Sequence, residues 1–104
     1  MTRWILTLLL LSVTGPAPSA AEQLTGGYVA CLTEQSLDEA ILFAAHKDRR
    51  GWTFLLTSGR CIITEPGLQV SVLQRKLFKA QVRYYAADGT SSVDLWTVSE
   101  NLRR

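Results

Sequence analysis

Residues 77–98 read LFKAQVRYYAADGTSSVDLWTV, and folded about Asp88-Gly89 they make a β-hairpin whose register the sequence itself can check. A two-residue type I′ turn needs φ > 0 at both central positions, which Asp-Gly tolerates, and its twist matches that of the flanking strands. This turn sets Tyr84 opposite Val93 and Val82 opposite Leu95 on one face, with Arg83 opposite Asp94 and Gln81 opposite Trp96 on the other. The apolar face is Phe78, Ala80, Val82, Tyr84, Val93 and Leu95; the other carries a cross-strand pair of opposite charge. A slip of one residue loses both features, so the pattern specifies the pairing.

Upstream, Leu68, Val70 and Val72 alternate with Gln69, Ser71 and Leu73, the pattern of a half-buried strand that enters the hairpin through Gln74-Arg75-Lys76. Glu65-Pro66-Gly67-Leu68 has the residues of a type II turn, reversing a short strand that begins at Cys61. The first strand is Tyr28 to Leu32, introduced by Gly26-Gly27. Between these two strands Leu37, Ala40, Ile41, Ala44 and Ala45 follow helical spacing. Ser36 and Glu39 have capping-box spacing, Thr33 is an alternative cap one turn earlier, and the helix is expected to run to about Arg50 with Gly51 as its C′ residue. Asp38 and Glu39 then fall in its first turn and Lys47, Arg49 and Arg50 in its last. Trp52, Leu55 and Leu56 predict a second, short helix that ends at Gly59. A helical turn capped by Ser99 follows the hairpin, and Arg103-Arg104 is expected to fray.

The N-terminus has one charge at Arg3, an apolar run from Trp4 to Val13, then Gly15, Pro16 and Pro18, with Ser19 and Ala21 at the −3 and −1 positions of a cut before Glu22. These features predict a secretory signal peptide over 1–21, since the run is too short to span a bilayer. Val29-Ala30-Cys31 resembles the end of a lipobox but lies too far from the apolar run. Cys31 and Cys61 are then the two cysteines of an exported chain, and a disulfide between them is expected. It closes about 30 residues and contributes roughly 3–4 kcal/mol on the chain-entropy model. A domain of about 80 residues buries only about 60–65% of its unfolded surface, so this contribution is substantial.

Pro66-Gly67 leading into Leu68 to Leu73, then Ala80 to Arg83, then Asp88-Gly89, then Leu95-Trp96-Thr97 with Leu102 closing, resembles the bacterial SH3-like domain pattern. The resemblance covers about the last forty residues. It implies a small β-barrel of exported bacterial proteins that binds cell-wall material or envelope proteins. The expected fold is therefore α+β, mainly β: a five-stranded SH3-like barrel over 22–104 with a helical hairpin, 33–59, inserted between its first two strands. The insertion departs from the pattern where the first loop of such domains helps to build the ligand groove.

Net charge is +2, and loss of Arg3 with the leader lowers it to +1, with acids and bases interleaved. This argues against nucleic acid, which needs a basic patch or stripe; Arg75, Lys76 and Lys79 form one loose cluster, read as a solvated hairpin tip. His46 is the only histidine and lies among charges near a helix end. With both cysteines in a disulfide it has no nucleophile beside it and no ligand set for a metal. No enzyme, cofactor or metal site is expected. Recognition remains, and Arg83, Tyr85 and Trp96 on the outer hairpin face are the candidate partner-binding residues, because aromatics and arginine are enriched at binding hot spots. Trp96 has a second reading as core, if the helices cover that face. The expected function is a non-catalytic periplasmic or secreted binding module, docking to an envelope protein, a peptide or peptidoglycan without membrane insertion after leader cleavage. The alternative is a small periplasmic inhibitor or immunity protein that blocks an envelope-targeting enzyme.

The register makes a mutational contrast. Leu95→Ala opens a cavity and should cost roughly 2–5 kcal/mol in denaturant unfolding, whereas Asp94→Ala removes one exposed ion pair and should be mild. The opposite ranking would mean that the faces are assigned backwards.

Overall fold

In a computed structural model that describes residues 22–86 and 88–103, the chain forms β1 (Glu22–Leu24), β2 (Val29–Cys31), α1 (Glu34–Ala45), α2 (Arg49–Thr57), β3 (Cys61–Ile63), β4 (Gln69–Arg75), β5 (Lys79–Tyr85), β6 (Ser92–Val98), a 3-10 turn (Ser99–Asn101) and β7 (Leu102–Arg103). The expected leader lies in residues outside the described part. β5 and β6 pair in the predicted register, with Tyr84↔Val93, Arg83↔Asp94, Val82↔Leu95 and Gln81↔Trp96. The tip differs from the tight turn expected. Ladder pairing ends at Tyr85↔Ser92, the Ala86 N–H donates to Ser91 O, and Gly89 closes back on Ala86 O with φ +73°. The Asp88 carboxylate accepts the Thr90 N–H at 2.8 Å, an Asx turn that widens the loop without moving the register.

All pairings are antiparallel, in the order β3-β2-β6-β5-β4-β1-β7. The sheet has seven strands and is not closed, which corrects the five-stranded barrel. The two unforeseen strands are the terminal ones. β1 and β7 hold three and two residues, too few to show an alternating pattern, yet Gln23↔Arg103 and Leu24↔Leu102 pair them, so Arg103 is tied down rather than frayed. β4 carries an irregularity between Val72 and Gln74 that leaves Leu73 outside the ladder.

Two apolar clusters occupy the two sides of the sheet. One holds Leu24, Ala30, Val70, Ala80, Val82 and Leu95. The other packs Val29, Cys31, Cys61 and Trp96 against Leu37, Ala40 and Leu55 of the helices. Phe78, expected on the apolar face, precedes β5 and is exposed.

The long helix expected to reach Arg50 breaks at 46–48. Thr33 is its cap, its hydroxyl accepting the Ser36 N–H at 3.0 Å, and Glu34 rather than Asp38 is the acid of its first turn. Lys47 turns left-handed at φ 56°, and Asp48 caps α2 by accepting the Gly51 N–H at 3.0 Å. Asp competes with the helix for backbone donors, which a periodicity reading does not weigh. Gly51 is thus a first-turn residue. A Cβ there would lie 2.7 Å from the Phe43 ring, so glycine lets the two helices approach.

The disulfide Cys31–Cys61 forms as expected, between directly opposed residues of β2 and β3, and closes the base of the helical insertion. It suggests an oxidising compartment. No helix among the described residues is long and apolar enough to cross a membrane.

A buried amide ties the two ends of the chain. Asn101, fully buried, donates through Nδ2 to Thr64 Oγ1 and to Thr97 Oγ1, each at 3.0 Å, and accepts the Gly26 N–H at 2.9 Å. Thr64 and Thr97 have each given their hydroxyl proton to a backbone carbonyl, of Tyr28 and Val29. They can only accept from Asn101. Asn101→Asp replaces the two donors by an acceptor and should cost about 3 kcal/mol or more, read as a lowered denaturation midpoint; a change within error would show that the amide is dispensable.

Candidate partner-binding surface

Helices α1 and α2 cover only part of the sheet face that carries Arg83, Tyr85 and Trp96. Trp96 pairs with Cys31 across β2 and β6 and lies beneath the helices, 8% exposed. It is core, and the structure separates it from the other two. Tyr85, 47% exposed, and Arg83 remain outside the cover. Each has a cross-strand partner. Arg83 donates from Nε and an Nη to the two oxygens of Asp94, at 2.8 and 3.2 Å, and the Tyr85 hydroxyl lies 3.1 Å from that of Ser71. The Arg83 hydrogen bonds hold the Asp94 carboxyl below its ordinary pKa, and the pairing raises that of the guanidinium. These bonds orient the two side chains and leave the Tyr85 ring open to a partner.

The basic cluster at the β4–β5 connection is paired rather than simply solvated. Arg75 bonds Glu22 at 2.6 Å. Lys76 reaches Glu34 at 3.0 Å, while Lys79 bridges Glu34 at 2.7 Å and Asp38 at 2.9 Å. Three of these ion pairs join α1 to β5 and the β4–β5 connection, and the Lys76 ammonium also stands 5.3 Å from the centre of the Trp96 ring. The bonds from Lys79 and Lys76 lower the Glu34 pKa, and those from Glu34 and Asp38 raise that of Lys79.

On the opposite face the apolar lining of the hairpin is also incompletely covered. Leu24, Ile62, Leu68, Tyr84 and Leu95 border a cavity of about 210 Å³ that opens beside β3. The outer edge of β3 is unpaired. Leu32 and Thr64 donate to Arg60 O and Tyr28 O, so ladder alternation makes Ala30 and Ile62 the bonded pair and turns the N–H and C=O groups of Cys61 and Ile63 outward. Sequence reading missed this opening, because the alternation of Tyr84 and Val93 says which face they share but not whether anything covers it.

His46 is the exposed C-cap of α1, and among the described residues no three His, Cys, Asp or Glu gather as a metal site. Comparison with protein-family models, with curated proteins and with solved structures finds no match for this chain.

The Glu34 linkage sets a pH dependence. A carboxylate whose folded pKa is depressed stabilises above its unfolded value, about 4.3, and that contribution is lost as pH falls through the folded pKa. Lys79→Ala should therefore lower stability at neutral pH, and its deficit should shrink below about pH 4. A deficit that stays constant across that range would place the role of Lys79 elsewhere.

Proposed function

We propose that this chain is a non-catalytic SH3-like binding module of the bacterial cell envelope, exported and docking to a protein, a peptide or a cell-wall partner. The observation that carries the reading is that the β5–β6 hairpin is buried on both faces at one end and open on both at the other. Val82, Leu95, Trp96 and Thr97 are buried, while Tyr85 and Val93, 37% exposed, are not. An aromatic held in place by a cross-strand bond, beside a doubly bonded arginine, is the kind of rigid amphipathic contact that dominates interfaces. The SH3-like part of the reading is supported by the three-stranded meander β4-β5-β6, its 3-10 turn and the return of β7 to β1. These hold the strand residues on which the resemblance rests, Gln69 to Leu73, Ala80 to Arg83, Leu95 to Thr97 and Leu102.

A second reading, an inhibitor or immunity protein for an envelope-targeting enzyme, is favoured by the helical hairpin, whose tip at 46–50 is exposed throughout. Capture from envelope extract separates the two. Tyr85→Ala should leave the melting temperature nearly unchanged and weaken capture of the bound partner by more than about 1 kcal/mol. Undiminished capture by that variant, with loss on changing the helical tip, would favour the inhibitor.

A further inference from the structure

The apolar stripe of the helical hairpin outruns the sheet that covers it. In α1 the stripe is buried at Leu37 and Ala40 and continues one turn on to Phe43 and Ala44; in α2 it is buried at Leu55 and continues one turn back to Trp52. There it borders an open cleft of about 420 Å³, with Lys47, Asp48 and Arg49 on its rim. This volume falls within the range of roughly 300–1,000 Å³ typical of ligand sites.

The charge around the cleft is positive in balance, one lysine and one arginine against one aspartate. The sheet cations Arg75, Lys76, Lys79 and Arg83 all sit within 3.0 Å of a carboxylate, whereas Lys47, Arg49 and Arg50 have none within ion-pair distance among the described residues. Asp48, between them, has turned its carboxylate to the Gly51 N–H. Arg49 and Arg50 also open α2, the positive end of its dipole, where cations are disfavoured and an anion is stabilised. Lys47 is the one non-glycine with positive φ among the described residues, and its N–H and that of Asp48 are fixed on Ala44 O and Phe43 O. Lys47 and Arg49 thus flank a single carboxylate, that of Asp48, which is engaged in capping α2, and with Arg50 the tip keeps a net positive charge among the described residues.

We propose that this cleft docks an acidic segment of a partner protein, which inserts one large apolar side chain between Phe43 and Trp52 and sets carboxylates against Lys47 and Arg49. The floor is aromatic and half-buried, Phe43 and Trp52 packing on the core by one side only, which leaves their other side to an inserted side chain. The site uses none of the hairpin residues Arg83 or Tyr85, and it stands or falls independently of them.

The test follows the Trp52 indole and the Lys47 and Arg49 amides by NMR in the disulfide-bonded protein. The probe is a short peptide with one phenylalanine flanked on each side by two aspartates. Saturable shifts at those groups are expected. They should weaken by roughly tenfold, about 1.4 kcal/mol, when the phenylalanine is replaced by serine or in Lys47→Glu/Arg49→Glu. Glutamate suits position 49 in the first turn of α2 and position 47 is exposed between the helices, so that variant should keep its amide dispersion, and Tyr85→Ala should bind the probe as the parent does. No saturable shift up to about 5 mM peptide, a millimolar Kd being the weak limit of specific binding, would overturn the proposal. Undiminished binding by the charge-reversed protein would overturn it too, as would perturbation of these groups by phosphatidylglycerol vesicles and not by the peptide, which would assign the tip to a membrane surface.

Discussion

One side-chain amide links the two edges of an open sheet that no backbone ladder joins. The sheet ends in a three-residue strand on one side and a two-residue strand on the other, and no ladder joins them. Asn101 bonds to the β1–β2 corner at Gly26, to the end of β3 at Thr64 and to β6 at Thr97. Its own carbonyl accepts the Thr25 N–H at 2.7 Å. Each polar atom of this buried group faces a partner of the correct sense, the condition under which burial of an amide stabilises rather than costs. The short terminal strands depend on this point, since two or three ladder residues do not hold a chain end alone.

The helical insertion is fastened by other means. The disulfide fixes its base covalently, Leu37, Ala40 and Leu55 bury its apolar stripe over Trp96, and Lys76 and Lys79 pin α1 from the opposite side through Glu34 and Asp38. Lys79–Glu34 is part-buried and the other two pairs are exposed, and exposed pairs are individually weak. Their effect is on orientation: they settle which part of the sheet face the helices cover, and hence that Trp96 is enclosed while Tyr85 is not.

What could be read in the sequence follows the range of the interactions. The hairpin register was legible because Arg83–Asp94 and Val82–Leu95 are local pairs that check one another, and the disulfide because two cysteines behind an expected secretory leader leave one pairing. The break between α1 and α2 was not, because Asp48 and Lys47 override a helical periodicity that continues through them. β1 and β7 were missed for want of length, and with them the open sheet. The Asn101 network joins residues 25, 26, 64, 97 and 101, and nothing local marks Asn101 as buried. Of the candidate site, Arg83 and Tyr85 stayed on the surface and Trp96 did not; the face of a strand residue is a local property, but its cover is not.

Of the apolar surface left exposed, that at two places follows from the same mismatch between cover and covered. Strands β5 and β6 extend past the helices at Tyr85, and the helices extend past the sheet at Phe43 and Trp52. In a domain of this size, burial of an aromatic ring is among the larger contributions available to stability. Folding alone would be served better by enclosing these rings than by rimming one pair with unpaired cations and tying the other ring's hydroxyl to a neighbouring serine. Exposed apolar groups bordered by oriented polar ones mark interaction sites more often than they mark defects of packing. The two overhangs differ in chemistry, one neutral and hydrogen-bonded, the other cationic at a helix N-terminus, so a single ligand would not satisfy both. On the two proposals these would be separate contacts, one on the strands and one on the helices, and the disulfide holds the base of the helices that carry the second to the sheet that carries the first.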